Sequence, residues 1–253
     1  MIALEQIIDF EVNFPRAFAS VTDKPDLRLF YNTANPHSQD SNHAVFINLS
    51  GNLEETLEEL ILFYRVRSLI PRVYPSYQPQ ENRRLLPLLS KRGFEINYSP
   101  DTIYVKEYPS RLAPCKSLKV ERVRTMADAV RNIICKNDGG DWNAEVLSKQ
   151  LQSEQFHLLV GYVAHQPVCL GALRRMDNLF RLDEVLTDPD FRGRGYGRAL
   201  VQGIMEYWRR LSPQSELYLW SSDPTAIRIY REAGFTALQP GLKTWNASYA
   251  PVR

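Results

Sequence analysis

The chain has 253 residues, which is enough for one large domain or two small ones. Hydrophobic residues make up 44% of it and can bury a sizeable core. The formal net charge of +2 provides no strongly basic face, so we expect no nucleic-acid partner.

The composition also argues against a membrane or disulfide-bonded protein. No apolar run approaches the roughly 18 residues that cross a bilayer, and the acidic segment Met1 to Phe14 lacks the basic start of a signal peptide. Cys115, Cys135 and Cys169 have no Cys-x-x-Cys spacing, which favours a reducing compartment and predicts no metal site. We therefore expect a soluble cytoplasmic protein with no membrane partner.

The first half of the chain, 1–110, is predicted to form a separate α/β domain. One helical apolar pattern ends at Pro71, and a second ends at Gly93-Phe94. Pro87 lies inside the second pattern, where it would kink or break a helix. Two prolines within 109–114 indicate a linker, placed at 111–116.

The second half, 117–253, alternates predicted strands and helices. The strands are 118–123, 156–164, 168–174, 181–187 and 216–221, with a closing hairpin within 236–250. The helices begin at Thr125 and at Ala144, cover 197–211, and follow Asp223. Asp138-Gly139-Gly140-Asp141 separates the first two helices.

A basic glycine loop, Arg192-Gly193-Arg194-Gly195-Tyr196-Gly197, joins the strand 181–187 to the helix 197–211. Glycines permit positive φ, so consecutive backbone N–H groups can converge on an anion, and a helix N-terminus adds unpaired N–H groups. The arginines, with Arg198 after them, add positive charge. A phosphate or pyrophosphate is the expected ligand.

Two common phosphate loops do not fit this stretch. A Walker loop needs a Lys-Ser/Thr pair after its glycines, and the Rossmann fingerprint needs a different glycine spacing. The pattern that does fit is Arg192-x-x-Gly195-x-Gly197. A basic turn without a ligand is the alternative interpretation.

A second motif follows: Asp223-x-x-Ala226-x-x-x-Tyr230-x-x-x-Gly234-Phe235. Asp223 is a helix N-cap and Pro224 suits the first helical position. Together the two motifs resemble the signatures of the GNAT superfamily of N-acyltransferases. The family usually has Asn where Asp223 stands, and an ionised Asp cannot donate a hydrogen bond to a cofactor.

The resemblance covers roughly 117–253 and implies a GNAT-like α/β (α+β) fold. In that fold a mixed, mostly antiparallel central sheet is flanked by helices, here with a smaller N-terminal α/β domain.

The first half also resembles a degenerate copy of the second. Asn82-x-x-Leu85-x-x-x-Leu89-x-x-x-Gly93-Phe94 parallels the Tyr230 motif at an offset of 141 residues, and Pro71 parallels Pro213 at 142. At this offset the glycine loop falls on Ser50 to Glu55, whose carboxylates would repel phosphate. Leu89 replaces the tyrosine, so we expect this half to bind no CoA. Two unrelated helices that both end in Gly-Phe are the alternative.

The resemblance implies direct transfer of an acetyl group from acetyl-CoA to a primary amine of a small molecule or peptide. It assigns the pantetheine arm to the backbone of Leu186 and Thr187. The remaining implied cofactor contacts are Arg192, Gly193, Arg194, Gly195, Tyr196, Gly197, Arg198, Asp223 and Tyr230.

Tyr230 is the predicted acid that protonates the leaving thiolate. A phenol with a pKa near 10 is protonated at neutral pH, whereas a thiol has a pKa of roughly 8.5. Glu184 is the predicted base, and adjacency should send Asp183 and Glu184 to opposite faces of the strand. The alternatives are a core tyrosine and a structural carboxylate paired with Arg174 or Arg181.

The acceptor pocket is less well defined by sequence. The family's acceptor region corresponds here to Trp142, Trp220 and Ser221, together with Asp141, Asn143 and Ser222. Trp142 is equally consistent with a loop anchor in the core. The sequence leaves a homodimer open.

Two other functions stay open at this point. One is a tandem GNAT transferase that uses another acyl or aminoacyl donor. The other is a non-catalytic acyl-CoA-binding protein, against which the retained Tyr230 argues.

Overall fold

The computed structural model describes residues 2–115, 117–138, 140–239 and 241–249. The chain forms two compact units. The N-terminal unit comprises Leu4–Pro100 and Leu242–Arg253, and the C-terminal unit comprises Met1–Ala3 and Asp101–Gly241. Among the described residues, no helix is both long and apolar enough to cross a membrane.

The N-terminal unit contains a six-stranded sheet in the order β1-β2-β3-β4-β13-β5. Only β3 and β4 are parallel; the other neighbours are antiparallel. Its elements are α1 (Leu4–Asn13), β1 (Ser20–Asp23), β2 (Leu27–Tyr31), β3 (His43–Phe46), α2 (Leu53–Arg65), β4 (Arg72–Tyr74), α3 (Leu86–Lys91), β5 (Phe94–Tyr98) and β13 (Trp245–Tyr249).

The C-terminal unit contains a seven-stranded sheet in the order β12-β6-β11-β10-β9-β8-β7. Here β10 and β11 are the parallel pair. Its strands are β6 (Thr102–Lys106), β7 (Lys119–Val123), β8 (Phe156–Val163), β9 (Gln166–Met176), β10 (Leu179–Thr187), β11 (Glu216–Ser221) and β12 (Phe235–Ala237). Its helices are α4 (Asp128–Asp138), α5 (Trp142–Gln150), α6 (Tyr196–Leu211) and α7 (Pro224–Glu232).

The two sheets repeat one another. Without β7, the C-terminal sheet reads β8-β9-β10-β11-β6-β12 and the N-terminal sheet reads β1-β2-β3-β4-β13-β5. In both, the third and fourth strands are the parallel pair, and one helix connects them along the chain. The expected mixed, mostly antiparallel α/β architecture is confirmed, and the internal repeat extends to strand order.

The expected closing hairpin within 236–250 is wrong. Strand β12 pairs with β6, whereas β13 pairs with β4 and β5, so the two strands lie in different sheets. The reason is that β6, from before the linker, already occupies the position between β11 and β12. Ala250, the last residue of that prediction, lies outside the described residues.

For the same reason, the unit boundaries differ from those expected at 110 and 117. Residues 101–110 belong to the C-terminal unit and 242–249 to the N-terminal unit. The linker at 111–115 has no helix or strand, and Lys116, like Gly139 of the predicted helix break, is outside the described residues. A boundary drawn from prolines cannot reveal which sheet a following strand joins.

Helix boundaries largely follow the local signals. Pro87 lies in the first turn of α3, and a π-helical turn at Glu81–Leu85 precedes it, so the proline does interrupt the predicted helix. Helix α5 ends at Gln150, although its apolar pattern from Ala144 predicts a helix as far as Gln155. Turns follow it, and Arg122 stabilises them by donating to the carbonyls of Ser153 and Phe156.

Candidate functional site

The C-terminal unit contains a cavity of about 820 Å³, within the usual range of small-molecule sites. Its walls are the end of β10, the loop before α6, the first turns of α6 and one side of α7. These are the segments that carry the two sequence motifs. The motifs, some 30 residues apart in sequence, therefore meet in one cavity.

Strands β10 and β11 pair over only part of their length. Their parallel register joins Leu179, Phe180 and Arg181 to β11, and the rest of β10 does not pair with β11 or, on that side, with another described strand. On its other side, β10 stays paired with β9 as far as Thr187. Val185, Leu186 and Thr187 line the cavity, so part of its wall is a strand edge not paired with β11.

The glycine loop is open and has the expected backbone. Gly193 and Gly195 have φ of 75° and 81°, and neither has another group near the position of a Cβ atom. Gly195 is the N-cap of α6, and no side chain of the described residues forms a capping hydrogen bond there. The first N–H groups of α6 are therefore available to an anion.

The three arginines predicted to bind phosphate have different surroundings. Arg192 lines the cavity and donates to Asn137 Oδ1 at 2.6 Å. Arg198 also lines it but forms a two-pronged ion pair with Glu232. Arg194 lies over the Phe191 ring, 5.2 Å from its centroid, and does not line the cavity.

Asn137 connects the loop to the end of β10. It accepts from Arg192, and its Nδ2 donates to the Ile133 carbonyl at 2.8 Å and to the Thr187 carbonyl at 3.4 Å. This residue, together with Arg228 and Glu232 of α7, lines the cavity without having been predicted. Of these three residues, only Arg228 could have been suspected from the sequence, because it lies two positions before Tyr230 in the second motif.

Tyr230 lies on α7, lines the cavity and is 7% exposed. Among the described residues its hydroxyl has no hydrogen-bond partner. Burial, with the carboxylates of Asp183 and Asp223, raises its pKa above the ordinary range, so the hydroxyl stays protonated at neutral pH. Asp223 caps α7 as expected, accepting from Thr225 N at 2.8 Å, and also lines the cavity.

Glu184 lies on a β-bulge. The β10–β9 register shifts between Asp183 and Leu186, and Glu184 has φ of 54°, unusual for a residue with a side chain. The expected alternation of Asp183 and Glu184 assumed a regular strand and does not apply here. Glu184 is half-buried next to Val185 but does not itself line the cavity.

The two neighbouring carboxylates have different partners. Asp183 pairs with Arg174 and with Arg181, whose Nη2 lies 3.4 Å from Asp183 Oδ2. Burial alone would raise its pKa, but the two guanidinium groups outweigh burial and lower the pKa to about 2. The structural ion pair that was the alternative for Glu184 is thus made by Asp183.

Among the described residues, Glu184 forms no ion pair with an arginine or lysine, although the charge of Arg174 acts on it from farther away. Its Oε2 accepts a hydrogen bond from Asn143 Nδ2 at 2.9 Å. Burial, followed by repulsion from Asp183, raises the pKa of Glu184 to about 7. Two adjacent carboxyl groups with separated pKa values are typical of acid–base sites.

The residues predicted to bind the acceptor do not line this cavity. Trp142 begins α5, and Trp220 and Ser221 end β11, where they pair with Ile103 and Thr102 of β6. All three are half-buried. Their role in acceptor binding stays a prediction.

Comparison with known proteins agrees with this geometry. Residues 139–249 match the family model of the acetyltransferase (GNAT) domain. This match places a GNAT acetyltransferase domain at residues 139–249, which indicates the acyltransferase class.

A curated relative is an uncharacterized N-acetyltransferase of Methanocaldococcus jannaschii, 32% identical over 77 residues. The match covers 30% of this chain and only 34% of that protein, about a third of its length.

Solved structures share the fold over nearly the whole chain. A GCN5-related N-acetyltransferase from Kribbella flavida has a TM-score of 0.68 at 14% identity, covering 99% of this chain and 97% of that one. A functionally unknown protein from Staphylococcus epidermidis has a TM-score of 0.63 at 17% identity, covering 99% and 98%. A tandem GNAT protein from the clavulanic acid biosynthesis pathway has 0.58 at 11% identity, covering 90% and 79%. At these identities the likeness concerns the fold alone.

Proposed function

We propose that this protein is an N-acetyltransferase that transfers an acetyl group from acetyl-CoA to a primary amine of a small molecule or peptide. The amine attacks directly, within a ternary complex. One observation carries the proposal: a single cavity joins an unpaired strand edge, an uncapped helix N-terminus and a protonated tyrosine.

The residues present suit a CoA ligand. The uncapped start of α6 and the open backbone at Gly193 and Gly195 suit a pyrophosphate, and Arg192 adds a charged donor. The β10 edge at Leu186 and Thr187 suits a pantetheine arm, because the backbone groups of the strand edge and the amide groups of the arm both need hydrogen-bonding partners. Acetyl-CoA supplies an activated carbonyl and a thiolate leaving group.

Tyr230 suits the role of proton donor. Its raised pKa keeps the hydroxyl protonated at neutral pH, and its side chain faces the same cavity as the loop. A general acid within hydrogen-bonding reach of the leaving group contributes roughly 100- to 10,000-fold to rate. Binding alone would need no buried phenol here.

Glu184 suits the role of proton acceptor. Most amines enter as ammonium ions and must lose a proton before they attack. With a pKa of about 7, Glu184 is partly ionised at neutral pH and basic enough to take that proton. Below about pH 7 it becomes protonated, so the rate should fall as pH falls through that value.

The test has two stages. Titration calorimetry with acetyl-CoA and CoA should give heat of binding with both. A panel of primary amines, assayed by release of free thiol and by mass of the product, should then identify an acceptor. Lack of binding would reject the proposal; binding without transfer to any amine would favour the non-catalytic alternative.

A further inference from the structure

We propose that Asn143 is a positioning residue, which Asp138 anchors and which holds Glu184 so that its Oε1 faces the acceptor amine. This inference rests on the proposed function and names the residues that orient its base. Asn143 was expected only as one of several polar groups near an acceptor.

The hydrogen-bond geometry defines the arrangement. Asn143 is 6% exposed, and its Nδ2 donates to Asp138 Oδ2 at 2.7 Å and to Glu184 Oε2 at 2.9 Å. An amide nitrogen has two hydrogens, and both are used. The opposite amide orientation would place a carbonyl oxygen against two carboxylates, so these contacts determine the orientation.

The bulge explains why Glu184 needs such an anchor. With φ of 54°, Glu184 is outside the regular strand, so pleating does not direct its side chain. A strained backbone of this kind persists where the surrounding structure holds it. The backbone on either side of Glu184 is held by pairing with β9, in which Asp183 lies opposite Ala172 and Leu186 lies opposite Leu170. The side chain is held on the α5 side by Asn143.

The groups around Glu184 use one of its two carboxylate oxygens and leave the other to accept a proton. The groups that face it are Asp183 on its own strand, Arg174 on β9, Asp138 at the end of α4 and Asn143 on α5. Asp183 is matched by Arg174 and Arg181. Oε2 is used by Asn143, and Oε1 has no hydrogen bond among the described residues.

The proton transfer is balanced. An N–H bond of the acceptor's ammonium breaks as an O–H bond forms at Glu184 Oε1, which yields a neutral amine and a neutral carboxyl group. The amine lone pair then attacks the acyl carbon, and the C–S electron pair leaves on sulfur, which takes the proton of Tyr230. The nitrogen, now positively charged, loses an N–H proton to solvent as the amide forms, and solvent returns a proton to the Tyr230 phenolate and takes the proton from Glu184. Asn143 gains or loses no proton in this sequence.

The two neighbours should act on Glu184 in opposite directions. The Asn143 hydrogen bond favours the ionised form of Glu184, so its removal should raise the pKa of that carboxyl. The Asp138 charge disfavours the ionised form, so Asp138→Asn should lower the pKa. Opposite shifts would show that both groups act on the Glu184 carboxyl, and the pH profile of turnover then tests whether that carboxyl accepts the proton.

The experiment is a pH titration by NMR of protein labelled with ¹³C at glutamate Cδ, with Glu184→Gln to assign the resonance. Asn143→Leu, which keeps the volume and removes the donor, should raise the midpoint by roughly one unit, and Asp138→Asn should lower it. Asn178→Ala is the control, since it removes an amide donor to the Gln214 carbonyl in a distant turn. The inference is overturned if the Glu184 titration midpoint is unchanged in both variants or moves in the same direction in both. If Asn143→Leu does not fold, a Glu184 midpoint that rises or stays unchanged in Asp138→Asn is sufficient to overturn it.

A second measurement separates this inference from the proposed function. Acetyl-CoA should bind Asn143→Leu as it binds the wild type, because Asn143 does not line the cavity. If no form binds acetyl-CoA, the proposed function fails, whatever the NMR titration gives. Once an acceptor is known, the acid limb of kcat/KM should move with the midpoint in each variant; an acid limb that stays in place would reject the positioning role.

Discussion

The two units share a strand order but differ at the place where the C-terminal unit has its cavity. In the C-terminal unit, β10 extends past its last β11 partner and lines the cavity. In the N-terminal unit, β3 pairs with β4 at Ala44 and Val45, and the Gln78 side chain then donates to the Phe46 carbonyl at 3.1 Å. The strand edge that is unpaired in one copy thus has a hydrogen-bond partner in the other.

The helix starts differ in the same sense. Helix α6 begins at Gly195 without a side-chain cap, whereas α2 begins after Asn52, whose side chain accepts from Glu55 N. Glu54 and Glu55 occupy the first turn of α2 and complement its positive end. Leu89, fully buried, stands where the other copy has Tyr230. In the N-terminal copy, a strand-edge carbonyl and a helix-start N–H are thus hydrogen-bonded to side chains of the protein, whereas the C-terminal copy leaves the corresponding groups available to a ligand.

This difference predicts that proton donation depends on the C-terminal unit alone. Tyr230→Phe should lower kcat about 100-fold, because the hydroxyl no longer protonates the thiolate, while the Kd for CoA stays within about twofold. Steady-state kinetics and calorimetry measure the two effects. Tyr207→Phe, which removes a hydroxyl bonded to His157, is the matched control. A Tyr230→Phe enzyme with full kcat would remove Tyr230 from the mechanism.

The second prediction compares glycines before the two helices. Gly195→Val places a β-branched side chain at φ of 81°, so the free loop should relax to another conformation. Binding would then have to restore the strained one at a cost of roughly 2 kcal/mol, and CoA affinity should fall about 30-fold. Gly51→Val, before α2, meets only the Asp26 carboxylate at 3.3 Å and should leave CoA affinity unchanged. Equal losses in calorimetry would contradict the assignment of the ligand to one unit.

The third prediction separates two arginines of the same loop. Arg192→Ala should weaken CoA binding about tenfold, since a charged hydrogen bond contributes roughly 1.5 kcal/mol. Arg194→Ala should have less than about a twofold effect, because Arg194 does not line the cavity. Calorimetry on both variants decides between this geometry and the sequence expectation that both bind phosphate.

The smallest effect is expected at the Arg198–Glu232 ion pair. Glu232→Gln removes a carboxylate from the cavity wall and releases Arg198, so CoA should bind about threefold more tightly. High salt should reduce the gain, because both groups are partly exposed to solvent. Weaker binding in the variant would mean that the ion pair supports the site rather than competing for it.

Much of the site could be predicted from sequence because its signals are local. The glycine loop, the helix after it and the capped Tyr230 helix depend on φ preferences, capping and 3.6-residue periodicity within short windows. The structure brings Arg192, Gly195, Asp223 and Tyr230 to one cavity, as the two motifs together suggested. Arg194, expected in that set from its charge and its place in the loop motif, lies over the Phe191 ring instead.

The sequence by itself determined the order of helices and strands from 118 to 232, the start of α6 and the identity of the residues in both motifs, since each depends on neighbours within a few positions. Only the tertiary structure decided that β6 joins the C-terminal sheet and β13 the N-terminal sheet. It also decided that Arg198 pairs with Glu232 and that Asn143 donates a hydrogen bond to Glu184 at a bulge. The physical reason is that strand pairing and buried hydrogen bonds join residues distant in the chain, and their partners are selected by the packing of the whole unit.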